Sequence, residues 1–168
     1  LVMGRPLSFA VTLLDDALGV LDHVDGVYPR GAANAAGDAA AVYVDHNYIL
    51  HLDAVESGLF EEIALLGTVG VAADSEGQVP WEIGLDPTGT AHLLYRDTNQ
   101  GPGAVLYRTA TQNGDTTPPA FVTETLATDL PGMQLFALTP DLCGRATIAT
   151  VEQGPTSDLP QIRIQEGR

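Results

Sequence analysis

Short runs in which apolar and polar residues alternate recur along this chain, each bounded by Gly, Pro, Asp or Asn. NYILHLDA (47–54), AVLYRTAT (104–111) and QIRIQE (161–166) alternate as half-buried strands do, with every second side chain facing a core. Ahead of them, AANAAGDAAAVYVD (32–45), LDPTGTAHLLYRD (85–97) and TPDLCGRATIATV (139–151) each read as apolar run, turn, apolar run. FEEIALL (60–66) and FVTETLAT (121–128) follow the first two as a further strand with an aromatic start. Helical periodicity is scarce. VESGLFEEIALLG passes for a short helix, but Gly58 and its match to FVTETLAT favour a strand. β-branched residues, 18 glycines and 11 prolines agree with an all-β chain rich in turns.

The three hairpins superpose on a glycine. Gly37, Gly89 and Gly144 stand 52 and 55 residues apart, each followed two places on by an alanine: Ala39, Ala91 and Ala146. Tyr43 aligns with Tyr95, and Asp45 with Asp97. One repeat is thus four strands, A to D, in about 50 residues, a period that marks a β-propeller blade. The pattern resembles the blades of BNR-like propellers over residues 27–166, without a proper Asp-box: in DSEGQVPW (74–81) the aspartate stands one place early and the leading serine is missing. The expected fold is therefore a partial propeller of four-stranded antiparallel blades. It forms a single all-β repeat domain, divided at 1–26 (partial), 27–79, 80–130 and 131–168 (partial). A β-sandwich is the alternative; it also uses short alternating strands but does not explain the repeat spacing.

Antiparallel succession sends the A–B and C–D turns to one face. The B–C loops and D–A connections go to the other, around the mouth of a central channel. By the propeller resemblance, ligands are held on this second face. DPTG (86–89) is then a construction element, with Pro87 presetting φ, Gly89 supplying an unusual backbone angle and Asp86 bonding the turn's own amides. The ligand face carries DHNY (45–48), DTNQGPG (97–103), EQGPTSDLP (152–160) and the long connection GTVGVAADSEGQVPWE (67–82). Candidate ligand contacts there are Trp81, Glu82, Asp97, Asn99, Asp45, His46 and Glu76. Trp81, the sole tryptophan, either stacks on a sugar or fills the gap between blades. DTNQG opens like a calcium loop but lacks the later carboxylates, so calcium is the one cofactor the sequence raises and no metal site is assigned. His46 with Asp45, His51 with Asp53, and His23 among Asp22 and Asp25 read as structural hydrogen bonds unless distant segments add ligands. Tyr95–Arg96 and Tyr107–Arg108 read as a core tyrosine beside an arginine on the opposite side, or as an arginine cluster for an anionic ligand.

Charge narrows the partners. Twenty-two acidic residues face seven arginines and no lysine, a formal net charge of -15 and a pI near 4.2. Such a surface repels a phosphate backbone, so nucleic acid is not an expected partner. Cys143 is the single cysteine, which excludes an intrachain disulfide. No apolar run approaches the ~18 residues that span a bilayer, and LVMGRPLSFAVTLL lacks the layout of a signal peptide. The chain opens on Leu, and a piece of a larger, secreted or cell-envelope protein is expected. Its remaining blades, or self-association, would complete the ring. G-x-S-x-G, H-E-x-x-H and phosphate-cradling loops are missing from the sequence. The leading expectation is a non-catalytic propeller-type binding or scaffold domain for a carbohydrate, protein or peptide ligand. The alternative is a glycoside hydrolase-like propeller enzyme using carboxylates on the loop face. A third reading is a purely structural segment.

Overall fold

The computed structural model describes residues 27–56, 59–69, 79–100, 104–111, 120–127, 135–153 and 160–167. Eleven strands appear among them. β1 (Val27–Ala33), β2 (Ala39–Val44), β3 (Ile49–Glu56) and β4 (Leu59–Thr68) form the first sheet in sequence order. β5 (Trp81–Leu85), β6 (Ala91–Arg96), β7 (Val105–Thr111) and β8 (Ala120–Ala127) form the second, and β9 (Leu135–Pro140), β10 (Ala146–Gln153) and β11 (Pro160–Gly167) the third. All neighbours pair antiparallel. The segment that could pass for a helix is strand β4. The expected earlier blade, 1–26, lies outside the described residues. Among the described residues no helix is long and apolar enough to cross a membrane.

Each sheet opens with the same hairpin, and local chemistry explains it. Asn34, Asp86 and Asp141 each accept the amides two and four residues on: Ala36 and Asp38, Thr88 and Thr90, Cys143 and Arg145. Gly37, Gly89 and Gly144 close these turns with φ of 98°, 83° and 76°, a region that costs a side-chain-bearing residue about 1–2 kcal/mol. Neighbouring turns also interlock. The Asn34 side-chain amide donates to the Asp86 carbonyl at 2.9 Å, and a Cβ on Gly89 would stand 3.0 Å from Asp38 Oδ2. Gly89→Val is therefore expected to destabilise by about 2–3 kcal/mol, from backbone strain plus that contact. Urea unfolding checks it; an unchanged midpoint would remove the turn's backbone requirement.

The sheets pack face to face. Ala40, Val42, Val44, Leu50, Leu52 and Ala54 of the first sheet meet Trp81, Ile83, Leu93, Tyr95 and Leu106 of the second in one buried cluster. The opposite face of the second sheet sends Leu94, Val105 and Tyr107 against Ala146, Ile148 and Leu138 of the third. A residue and its successor on β6 thus serve different interfaces, as strand alternation requires. The most extensive contacts between sheets are those of the first strands, β1 with β5 and β5 with β9. These strands converge on the axis while later strands fan outward, which is the arrangement of propeller blades.

Candidate functional site

Both ends of the axis have distinct chemistry. At one end the three A–B turns meet around an open cleft of about 310 Å³, lined by Asn34, Leu85, Pro87, Pro140, Asp141 and Leu142 among others. Its polar groups are engaged. Asp141 takes two turn amides and the Arg145 guanidinium, at 3.1 and 3.0 Å. Hydrogen bonds from the Arg145 and Cys143 amides, and then the Arg145 side chain, hold its carboxyl below the usual value.

Beneath this end runs a buried chain of polar groups. Asp86 Oδ2 lies 3.5 Å from His92 Nε2, and His92 Nδ1 lies 2.6 Å from the Tyr107 hydroxyl. A carboxylate accepts only, so its 3.5 Å approach favours the tautomer with the proton on Nε2, in which Tyr107 donates to the bare Nδ1. Burial, and then the charges of Glu124 and Asp86, push the Tyr107 hydroxyl up to about 12, so it keeps its proton. Burial of Asp86 works to raise its pKa, but hydrogen bonds from the Thr88 hydroxyl, the Thr90 and Thr88 amides and His92 outweigh it and hold the carboxyl below the usual value. Burial lowers the His92 pKa below 6.5, and the attraction of Asp86 and Asp141 does not reverse it.

The sign of the pH effect follows. The unfolded chain takes up a proton near 6.5 that folded His92 refuses. Its contribution is complete above 6.5 and is lost as pH falls toward the lower folded pKa. Asp86 acts further down, its contribution fading as pH drops below about 3.8. Stability measured by urea unfolding should fall between pH 7.5 and 5 by at most about 1.4 kcal/mol per pH unit from this one group, and His92→Gln should flatten that slope. Equal slopes in the two proteins would refute the buried neutral imidazole.

At the opposite end lie the starts of the inner strands and the B–C loops. Glu82 on β5 is half-buried, and its Oε2 stands 4.0 Å from Arg30 Nε of β1. Both side chains reach solvent, with relative exposures of 43% for Arg30 and 28% for Glu82. Two residues before Arg30, Tyr28 sits in the irregular stretch of β1 between Val27 and Arg30, with a φ of 56°. The B–C loop of the first sheet contributes His46 and Tyr48, both exposed, and that of the second contributes exposed Asn99.

Several expected contacts are reassigned. Trp81 is 1% exposed and belongs to the core between the first two sheets, because β5 turns it toward Tyr95 and Leu50 rather than to solvent. Asp45 and Asp97 are buried turn caps. Asp45 accepts the Asn47 and Ile49 amides at 2.8 Å and lies 3.5 Å from His51, and Asp97 accepts the Asn99 amide at 2.9 Å. The Asp97 carboxylate also rests against Gly67, where a Cβ would come within 3.0 Å. His51 therefore meets Asp45 and stacks on Tyr43 with ring centroids 5.0 Å apart. Glu76 lies outside the described residues. Of the expected set, Glu82, Asn99 and His46 remain open to a ligand, whereas Tyr28 and Tyr48 were not singled out. Among the described residues no three His, Cys, Asp or Glu side chains converge as a metal site would require. From the Tyr–Arg pairs, Arg108 and Tyr95 are tied into the core: Arg108 lies over the Tyr95 and Phe121 rings, 5.6 and 5.5 Å from their centroids, and donates to the Leu66 carbonyl that Tyr95 also uses.

No protein-family model and no curated protein matches the sequence. Solved structures do match the fold. The chain is similar to an α-L-arabinofuranosidase from Fusarium graminearum in complex with an iminosugar inhibitor, with a TM-score of 0.52 and 12% identity. It is similar also to an α-L-arabinanase from Penicillium chrysogenum complexed with arabinobiose, with a TM-score of 0.52 and 14% identity. Each likeness covers 84% of this chain and 45% of the neighbour, so the chain spans less than half the length of either. The shared fold is the β-propeller, and the likeness does not extend to BNR repeats in particular. The expectation of a non-catalytic binding or scaffold domain is corrected to this extent: both of these neighbours are named as enzymes of glycoside chemistry, not as binding modules.

Proposed function

We propose that the chain is part of a propeller enzyme acting on glycosidic bonds, with pentose-containing oligosaccharides such as arabinan fragments as the substrate class. The observation that supports the reading is the position of Glu82. It is the half-exposed carboxylate on an inner strand among the described residues, at the axial end opposite the A–B turns, in a fold shared with an arabinofuranosidase and an arabinanase.

Glycoside hydrolysis uses two carboxyl groups flanking the scissile bond. Glu82 supplies one. Arg30, 4.0 Å away, places a positive charge near the carboxylate and offers donors to sugar hydroxyls. Asp45 and Asp97 are committed to turn amides, so neither is offered as the second carboxyl. The native protein, incubated with arabinan, should release reducing ends. No release from arabinan or from arabino-oligosaccharides would overturn the reading.

A further inference from the structure

Four turns of this chain share one hydrogen-bonding scheme, and one of them breaks its rule. In the turns at 34–38, 86–90 and 141–145 the first residue's side chain accepts amides two and four places on, its carbonyl accepts the amide three places on, and that fourth position is glycine with positive φ. The loop at 45–49 repeats every one of these bonds. Asp45 accepts the Asn47 and Ile49 amides, and its carbonyl accepts the Tyr48 amide at 3.0 Å. The glycine slot is filled by Tyr48, at a φ of 62°. Tyrosine there bears a backbone strain that three sibling turns avoid, and the residue is 46% exposed, so burial does not offset the strain.

Tyr28 repeats the anomaly by another route. It lies at a bulge in β1, where the register slips between Val27 and Arg30, with a φ of 56° and 45% exposure. A bulge re-aims a side chain out of the ladder, and strained non-glycine residues persist only where the surrounding structure over-determines them and cluster at active sites and ligand clamps. Val27 pairs with Val44, the last residue of β2, so Tyr28 and the 45–48 loop occupy the same end of the first sheet. Arg30 follows two residues later, and with it Glu82.

We infer that Tyr28 and Tyr48 form an aromatic platform on which sugar rings lie as they approach Glu82 and Arg30. This rests on the proposed glycoside activity and assigns its substrate-binding surface. Tyrosine suits such a surface, since its face takes the apolar C–H side of a sugar ring while its polar tip stays in water.

Calorimetric titration of the native protein with arabinobiose tests it. Tyr28→Ala and Tyr48→Gly should each weaken binding about tenfold, whereas Tyr28→Phe and Tyr48→Phe stay near wild type because the ring is kept. Tyr48→Gly should also raise the thermal unfolding midpoint, since glycine relieves the strain. A role confined to the fold predicts the reverse, a lower midpoint with affinity unchanged, and that result would overturn the platform. Unchanged affinity in the Ala and Gly variants of a protein that binds arabinobiose would overturn it too, leaving the glycoside reading intact. A native protein that binds no arabino-oligosaccharide would sink that reading and the platform with it.

Discussion

Glu82→Gln should reduce glycoside hydrolysis by the native protein about a thousandfold while leaving its affinity for arabinobiose within a few-fold of wild type. The size follows from what the side chain does. A carboxylate that accepts a proton or attacks carbon contributes roughly 10²–10⁴ in rate, and an amide of the same shape can do neither. Affinity survives because Gln keeps the reach and an acceptor oxygen for sugar hydroxyls, so the loss falls on kcat rather than KM. The fold should survive as well. Glu82 is half-exposed, its contact with Arg30 is long at 4.0 Å, and exposed pairs of that kind contribute about 0–1 kcal/mol. Steady-state kinetics with a melting curve for the same variant separate the two effects. Wild-type kcat in Glu82→Gln would remove the carboxylate from the chemistry.

Gly84→Val should cost about 3 kcal/mol or more, a large share of the ~5–15 kcal/mol that holds a domain together. Gly84 lies in β5, where it faces β9 of the next sheet near the axis. A Cβ there would stand 2.5 Å from Pro140 Cδ and 2.7 Å from Cγ, with Leu138 Cδ2 at 3.9 Å. The proline ring cannot swing aside, because Pro140 is held by its pairing with Ala146 and by the turn it leads into. Either β5 and β9 move apart or the valine is strained, and both disturb the packing of the inner strands. Pro140→Ala removes the two nearest carbons, so the double variant should be more stable than the sum of the singles implies. Additive effects, or a Gly84→Val protein with a wild-type urea midpoint, would show that the inner strands are not in close contact there.

How much of this was legible in the sequence differs by length scale. The A–B turns were, because their chemistry is contained within five residues. An Asn or Asp that caps its own amides and a glycine at the left-handed position can be read from AANAAGDAAA or DPTGT directly. The strands were legible because alternation survives in half-buried sheets, and the repeat placed them in blades. Trp81 was not settled: its neighbours on β5 fix which face it takes, but which face is buried depends on the sheet packed against it. Asp45 and Asp97 align as a repeat pair, and that alignment was itself the sign of turn caps, the same role that Asp86 plays on the other face.

Tyr48 could have been found by carrying the comparison one step further, setting DHNYI beside DPTGT and noticing tyrosine in the glycine place. Tyr28 left no such trace. Its bulge arises from the register between β1 and β2, and a register slip is a property of two strands together. The Asp86–His92–Tyr107 chain is of the same kind, joining a turn to β6 and β7 through residues whose spacing along the chain carries no pattern.

The central claim is that the working end of the axis is the one bearing Glu82, Arg30, Tyr28 and Tyr48, and not the cleft among the A–B turns. A crystal of the protein soaked in arabinobiose decides between them most directly. The account predicts density for the sugar over Tyr28 or Tyr48 with a hydroxyl within hydrogen-bond reach of Glu82. Density instead in the cleft lined by Leu85, Pro87, Pro140 and Leu142, with the inner-strand end left bare, would contradict it.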